Sequence, residues 1–208
     1  MRPNALIVLA RVPKPGRVKS RLAASIGNEA AAALYEAFLA DAMGQYERLD
    51  VDVRLYLAPT ESEDVSLASS FEVPVFWQSA GDFGTRMLIS LAETFAAGYE
   101  RAAVIGSDHP TLPSEFIQMA FDVLDQPLSA SIGPTSDGGY YLLAMNDLFP
   151  TLFSGIKYGR SDVLEKTLER AATAVTHLTV LPEWYDVDDA SDLPRLAADL
   201  AGRESAPR

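Results

Sequence analysis

Short apolar runs rich in β-branched residues alternate along the chain with longer segments in which apolar residues recur every three or four positions. The short runs predict seven strands, at 5–10, 51–58, 73–78, 102–107, 128–134, 140–145 and 174–181. The first run reads ALIVLA, and several of the others are just as continuously apolar. Continuous apolar character is typical of parallel strands that are covered on both faces.

The longer segments predict helices at 28–48, 83–98, 114–125, 161–172 and 189–200. The first begins at Asn28, a candidate N-cap, and carries Leu34, Phe38 and Ala42 on one stripe. Repeated alternation of strand and helix predicts an α/β fold with three α/β/α layers and a mostly parallel sheet.

The domain organisation follows from the same pattern. The chain shows no internal repeat, low-complexity block or linker. We therefore expect a single domain over residues 1–200 and a flexible tail over residues 201–208, where no apolar period continues.

The composition excludes several kinds of chemistry. The 208 residues include no cysteine and only two histidines, so thiolate catalysis, iron–sulfur clusters, Cys-based zinc sites and multi-His metal sites are excluded. The net charge of −12 argues against general binding to nucleic acid or to an anionic membrane. The opening apolar run is too short to span a bilayer and lacks the features of a signal peptide, so we expect a cytoplasmic protein.

A short basic segment stands out against this acidic background. The stretch RVPKPGRVKSRL, residues 11–22, holds five of the seventeen Lys and Arg residues: Arg11, Lys14, Arg17, Lys19 and Arg21. It directly follows the first predicted strand, and its prolines and Gly16 keep it on a loop before the next helix. Cations near a helix start are unfavourable unless an anion lies among them, so the segment predicts a polyphosphate site. A solvated basic loop paired with acidic neighbours is the alternative, and the spacing of a P-loop is absent.

Two acidic segments could hold a cation. In VIGSDHPTL, residues 104–112, Asp108 follows a buried strand, where a carboxylate can bind Mg²⁺ together with phosphate oxygens. Capping of a turn explains Asp108 equally well. In WYDVDDASDL, residues 184–193, helix capping accounts for the later carboxylates but not for Asp186 and Asp188 as well. A metal held by Asp108 and Asp188 would face the basic loop.

Two glycine-containing segments complete the candidate site. In GPTSDGGYYLL, residues 133–143, Asp137-Gly138-Gly139 is typical of a plain hairpin turn. The alternative is that the two glycines let a ligand approach the backbone closely, with Tyr140 or Tyr141 in contact with it.

The second of these segments, QSAGDFGTRM at residues 78–87, opens a helix with Asp82 as a candidate cap. Arg86 could reach an anion at that helix start or pair with Asp82.

Five motifs, in this order, resemble a known family: PKPGRVKSRL, QSAGDFGTRM, IGSDHPTL, GPTSDGGYYL and DVDDASDL. The chain is similar, from about residue 5 to residue 200, to a bacterial glycosyltransferase-like family of the arsenosugar-biosynthesis or selenodomain-associated type. This family is placed in the nucleotide-diphospho-sugar transferase superfamily, whose fold is GT-A and whose distant relatives include molybdenum-cofactor and 2-phospholactate guanylyltransferases. The chain departs from the family pattern at Ser20 and Asp189, where threonine is usual, and at Tyr158, which replaces the usual tryptophan of the IKYG segment.

The resemblance implies a transferase that depends on Mg²⁺ or Mn²⁺ and uses a nucleotide or nucleotide-sugar donor with a small-molecule acceptor. It implies that Lys14, Lys19 and Arg21 contact phosphates and that Asp108 and Asp188 bind the metal, with Asp186 in reserve. We take Lys19 and Asp108 as candidate catalytic residues and add Asp137 as a candidate general base. The candidate donor- and acceptor-binding residues are Lys14, Gly16, Lys19, Arg21, Gln78, Gly81, Arg86, Gly138, Gly139 and Tyr140.

Three functions stay open from the sequence. Glycosyl transfer from an NDP-sugar is favoured narrowly by the family. Nucleotidyl transfer from an NTP to a phosphorylated acceptor is favoured by the dense basic loop and by a lone Asp108 in place of a D-x-D motif. A non-catalytic nucleotide-binding module is the third. A homodimer is compatible with the sequence, which does not specify the oligomeric state.

Overall fold

The computed structural model describes residues 2–59 and 71–205. Its strands are β1 (Arg2–Ala10), β2 (Asp52–Leu57), β3 (Val75–Trp77), β4 (Tyr99–Ile105), β5 (Ser129–Pro134), β6 (Tyr140–Met145) and β7 (His177–Val180). Its helices are α1 (Ser20–Ile26), α2 (Asn28–Tyr46), α3 (Phe83–Ala96), α4 (Ser114–Asp122), α5 (Val163–Ala174) and α6 (Leu193–Ser205), with a short 3₁₀ helix at Pro150–Phe153.

The described strands form one sheet in the order β3-β2-β1-β4-β6-β5-β7. Strand β6 pairs antiparallel with β4 and β5, and every other pairing is parallel. The sheet is therefore mostly parallel, as the alternation of strands and helices predicts.

Helices cover both faces of this sheet. Along β1, Leu6 and Val8 pack in a core with α2 and α4, whereas Ile7 and Leu9 pack in a second core with α3 and α5. Because successive residues of a strand point to opposite faces, the uninterrupted run ALIVLA supplies both cores at once. This arrangement confirms the three-layer prediction.

The bounds of several elements differ from the sequence prediction, and β1 and β4 are examples. Strand β1 starts at Arg2 and β4 at Tyr99, three residues early in each case, because Arg2 and Tyr99 pair across the sheet. Asn28 is the first residue of α2, and its N-cap is Gly27, so the capping prediction for Asn28 was wrong by one position.

The C-terminal helix also differs from the prediction. It begins at Leu193 and runs to Ser205, so the loose tail expected from residue 201 is helical over residues 201–205. Alanine, arginine and glutamate in this stretch are strong helix formers, which carry the helix past its last apolar stripe. Residues 206–208 lie outside the described residues. Among the helices that are described, none is long and apolar enough to cross a membrane.

The topology places one end of the sheet under the candidate site. Strand β1 lies between β2 and β4: the chain runs outward from β1 to β2 and β3, and then crosses back to β4 on the other side of β1. Ligands of open α/β sheets bind at such a switch point, beyond the carboxyl ends of the strands. The basic loop follows β1 at this point, and Asp108 follows β4 beside it.

Candidate active site

Lys19 lies between two aspartates that are far away in the sequence. Its Nζ is 2.8 Å from Oδ1 of Asp108 and 3.1 Å from Oδ1 of Asp188. Arg21 reaches the second oxygen of Asp188, with Nη2 and Oδ2 3.1 Å apart. The basic loop after β1, the loop after β4 and the segment after β7 therefore converge on one point, as the sequence analysis requires.

The backbone of Lys19 is adapted to this position. Lys19 precedes α1 with φ 47° and ψ 50°, the left-handed conformation that most non-glycine residues avoid. Such a conformation costs of order 1 kcal/mol and persists where surrounding contacts hold it. Here the contacts are the two carboxylates, and the Lys19 side chain is only 5% exposed.

Lys19 is firmly charged despite its burial. Burial alone lowers the pKa of this ammonium, but the charges and hydrogen bonds of Asp108 and Asp188 outweigh it and hold the pKa above its ordinary value of 10.5. The site therefore presents a permanent cation between two carboxylates.

The two carboxylates suit a divalent cation. Their Oδ1 atoms already approach one cation, the Lys19 ammonium, to about 3 Å. Hard oxygen donors of this kind are the ligands that Mg²⁺ and Mn²⁺ take. No group of three or more His, Asp or Glu residues that could hold a metal occurs in the described chain. A metal here would therefore take the rest of its coordination from phosphate oxygens and water.

A cavity of about 670 Å³ opens beside Lys19. Five basic side chains of the described residues line it, together with the carboxylates of Asp108 and Asp188; the five are Arg11, Arg17, Lys19, Arg21 and Arg86. The pKa of Arg86 is lowered, first by burial and then by the neighbouring charge of Arg11. Crowded like charges of this kind favour a polyanion as the ligand.

Gln78 holds Arg86 in the wall of this cavity. The Gln78 side-chain amide donates to the carbonyls of Ala10 and Tyr56 at 3.1 and 2.9 Å, and its Oε1 accepts from Nη1 of Arg86 at 3.1 Å. Asp82 caps α3 by accepting from the backbone N–H of Thr85 at 2.8 Å, as expected. Arg86 therefore bonds to Gln78 in the structure, and Asp82 bonds to the helix start.

The other candidates for phosphate binding divide into two groups. Gly16, with φ +74°, lines the larger cavity. Lys14 and Gly81 are not among the described residues that line it. The structure thus brings Gly16, Gln78 and Arg86 to the cavity around Lys19 and leaves Lys14 and Gly81 outside its wall.

A second cavity, of about 260 Å³, adjoins the first and shares Arg21, Phe83, Asp108 and Asp188 with it. Its character is acidic and aromatic. Its further lining includes Asp137, Asp186, His109, Tyr140, Tyr158 and Arg160. Arg160 is already paired with Asp162, at 3.3 Å between Nε and Oδ1.

Asp186 and His109, which line the smaller cavity, have strongly altered proton affinities. Burial, followed by the charges of Asp188 and Asp137, raises the pKa of Asp186 to about 6. Burial lowers the pKa of His109 to about 4, so this imidazole is neutral near pH 7. His109 therefore serves as a neutral neighbour of Asp108.

The Asp137-Gly138-Gly139 turn is the hairpin between β5 and β6. Oδ1 of Asp137 accepts from the Thr135 hydroxyl at 2.6 Å and from the backbone N–H of Gly139 at 3.0 Å. Gly138 has φ +89°, and a Cβ there would lie 2.1 Å from the carbonyl oxygen of Ser161. Close packing of two backbones therefore explains Gly138, whereas Asp137, Gly139 and Tyr140 line the smaller cavity.

Arg11, Phe83 and Tyr158 line the cavities but are not among the candidate donor- and acceptor-binding residues of the sequence analysis. Arg11 belongs to the basic segment for which the sequence predicts a polyphosphate site, so its signal was present. Phe83 and Tyr158 carry no local signal, since an aromatic residue on a helix or loop is usually a core residue.

Comparisons with known proteins agree with this geometry. The family model DUF2064, "Uncharacterized protein conserved in bacteria", matches residues 42–160, more than half of the chain. A crystal structure of a "putative nucleotide-diphospho-sugar transferase" from Desulfovibrio desulfuricans G20 is 35% identical, with a TM-score of 0.89 over 94% of this chain and 87% of that one. A search of curated proteins found no match.

More distant solved structures share the fold alone. The inositol-1-phosphate CTP transferase from T. maritima is 11% identical, with a TM-score of 0.59 over 100% of this chain and 98% of that one. The 4-diphosphocytidyl-2C-methyl-D-erythritol synthase from Anaerococcus prevotii DSM 20548 is 12% identical, with a TM-score of 0.62 over 96% of each chain. The family match and the 35% identical structure confirm the resemblance read from the motifs: the chain belongs to the bacterial family DUF2064 and is a nucleotide-using, glycosyltransferase-like enzyme with a nucleotide-diphospho-sugar transferase fold.

Proposed function

We propose that the protein transfers a glycosyl group from a nucleoside diphosphate sugar to a small acceptor, with Mg²⁺ or Mn²⁺ bound beside the donor. One observation carries this proposal: a basic cavity and an acidic cavity meet at Asp108 and Asp188. A nucleoside diphosphate sugar has the same division, because an anionic diphosphate is joined directly to a neutral, hydroxyl-rich ring.

The larger cavity suits the diphosphate and its nucleoside. Lys19 supplies a point charge, and Arg21 and Arg86 supply planar guanidinium groups that can each bind two phosphate oxygens. These charges lie where negative charge grows on the leaving nucleoside diphosphate. Fixed cations at that position lower the barrier because they need no reorganisation during the reaction.

Asp108 and Asp188 are the residues that would hold the metal, as argued above from their convergence on the Lys19 ammonium. When bound, a divalent ion supplies further neutralisation of the diphosphate. The Lys19 ammonium occupies the space between the two carboxylates in the absence of a ligand, so it also keeps them from repelling each other.

The smaller cavity suits the sugar ring and the attacking acceptor. In the transfer, an acceptor oxygen forms a bond to the anomeric carbon while the bond from that carbon to the diphosphate breaks. The acceptor proton passes to a carboxylate. Asp186 suits this role better than Asp137, because the turn already uses one oxygen of Asp137 and because burial raises the pKa of Asp186 to about 6.

Nucleotidyl transfer is the second candidate. Five basic side chains around the larger cavity would suit the triphosphate of an NTP. A solved structure with the same fold is a CTP transferase, although its 11% identity carries only the fold. The four carboxylates around the smaller cavity, Asp108, Asp137, Asp186 and Asp188, disfavour the phosphorylated acceptor that this reaction needs.

The released product distinguishes the two reactions. Purified protein with Mn²⁺ is incubated separately with radiolabelled nucleoside diphosphate sugars and with NTPs, each with pooled small-molecule acceptors. Free nucleoside diphosphate supports glycosyl transfer, and pyrophosphate supports the alternative. Release of neither product over the full panel contradicts both.

A pair of arginine variants serves as a matched control. We expect Arg21→Ala to lower turnover by roughly tenfold or more, since a lost charge-assisted contact of about 1.5–3 kcal/mol corresponds to at least a factor of ten. Arg48→Ala removes an equal charge from an exposed position that lines neither cavity, and its turnover should match that of the wild type.

A further inference from the structure

We propose that Phe83 and Tyr158 form an aromatic platform that recognises the sugar ring of the donor and so determines its specificity. This inference rests on the proposed function and names which part of the ligand the smaller cavity takes. The ligand class is a neutral pyranose whose less polar face lies on the rings and whose hydroxyls meet the carboxylates.

Phe83 lies where the two cavities meet. It is the first residue of α3, lines both cavities, and is 37% exposed, which is unusual for a large apolar side chain beside polar groups. Its ring contacts Tyr158 edge to face, with centroids 5.4 Å apart and an interplanar angle of 75°. The exposed ring of Phe83 therefore packs against a second aromatic side chain.

Tyr158 also packs against Tyr140 and against the backbone of Gly84. Its hydroxyl lies 3.3 Å from the hydroxyl of Tyr140, and the two rings are edge to face at 6.4 Å. Gly84 is buried, and a Cβ at that position would lie 2.6 Å from Cε2 of Tyr158. The absence of a side chain at Gly84 is thus what allows Tyr158 to approach α3 and support Phe83.

The polar groups of the same cavity restrict what can lie on this platform. The carboxylates of Asp137 and Asp186 present acceptor oxygens to this cavity, so the ligand must offer donors. A purely apolar ligand would add no hydrogen bond to these carboxylates, and a phosphorylated ligand would be repelled by them. A sugar ring offers hydroxyl donors at its edge and polarised C–H groups on one face, which the electron-rich face of an aromatic ring attracts. A cavity of about 260 Å³ holds a ligand of that size.

The test compares ligands that differ only in the sugar. Isothermal titration calorimetry in the presence of Mn²⁺ measures the affinities of the wild type and of Phe83→Ala for these ligands. UDP is compared with UDP-glucose, and GDP is compared with GDP-mannose. We expect Phe83→Ala to bind the nucleotide sugar about tenfold more weakly, equivalent to about 1.4 kcal/mol, while its affinity for the matching nucleoside diphosphate changes less than about twofold.

Two further variants separate the platform from a general loss of structure. Gly84→Ala keeps both rings but displaces Tyr158, and it should show the same selective loss as Phe83→Ala. Tyr158→Phe keeps the ring and removes only the hydroxyl, so it should retain most of the discrimination.

The outcomes separate this inference from the proposed function. If Phe83→Ala loses equal affinity for the nucleoside diphosphate and for its sugar, Phe83 contacts the nucleoside and the platform is overturned. Wild-type affinities for the nucleotide sugars in both Phe83→Ala and Gly84→Ala would overturn it as well. If the wild type binds neither nucleoside diphosphates nor their sugars, the proposed function fails and the platform fails with it.

Discussion

Replacement of Lys19 by methionine tests the central contact of the site. Methionine keeps the length and apolar stem of the side chain but removes the ammonium. Two charge-assisted hydrogen bonds are then lost, of 2.8 Å to Asp108 and 3.1 Å to Asp188. The two carboxylates are left facing each other without the cation that lies between them.

The loss of stability follows from the burial of these groups. Removing one partner of a fully buried ion pair costs about 3–5 kcal/mol. The Asp108 side chain is 40% exposed and that of Asp188 is 27% exposed, so water screens part of this penalty. We therefore expect Lys19→Met to lower the free energy of unfolding by about 1–3 kcal/mol.

Urea unfolding, followed by circular dichroism with and without Mn²⁺, measures this change. Because the variant frees Oδ1 of both carboxylates, Mn²⁺ should stabilise Lys19→Met more than it stabilises the wild type. Lys166→Met is the matched control, since Lys166 pairs with Asp162 at 2.7 Å on the surface, and its loss should cost about 0.5 kcal/mol or less. Equal stability of Lys19→Met and the wild type, with equal responses to Mn²⁺, would refute the reasoning.

Three further predictions concern the turn, the cap and the phosphate site. Gly138→Ala should lower the free energy of unfolding by about 2–4 kcal/mol, since its φ is +89° and its new Cβ would overlap the Ser161 carbonyl; urea unfolding measures this. Hydrogen bonds from the backbone and hydroxyl of Thr85 lower the pKa of Asp82 in the folded protein. The stability that this cap contributes is therefore fully present above the unfolded pKa of 3.8, and it is lost as the pH falls through the lower folded pKa. The melting temperature of Asp82→Ala should therefore lie below that of the wild type at pH 7 and approach it near pH 3; a constant difference across this range would contradict the assignment. Arg86→Ala should weaken the binding of nucleoside diphosphates about tenfold and make it less sensitive to salt, as titration at two ionic strengths would show.

The order of strands and helices could be predicted from the sequence because it depends on the local spacing of apolar residues. The continuous run at β1 serves two cores, and the stripe on α2 is buried, with Ala42 in one of those cores and Phe38 against Tyr185 and Val187, so the pattern alone indicates strand or helix. Boundaries were less predictable. The extension of β1 to Arg2 depends on pairing with Tyr99, almost a hundred residues away, which no local pattern records.

The candidate site was predictable where charge made a residue conspicuous. Lys19, Arg21 and Asp188 stand out because like charges that lie close together must find a partner, and Asp108 stands out because it follows a buried strand. Phe83 and Tyr158 do not, because their position beside the carboxylates depends on how α3 and the loop before α5 meet. Gly138 was misleading for a related reason, since its conformation serves packing against Ser161.

By itself, the sequence determined the alternation of strands and helices, the loops that carry charge, and the chemical types available for binding phosphate and metal. Only the tertiary structure decided that Lys19 meets Asp188, 169 residues further along, and that the space around them is divided into a basic and an acidic cavity. The physical reason is that the local spacing of apolar residues determines whether a segment forms a strand or a helix. The strand order and the crossovers determine which loops lie together at one end of the sheet.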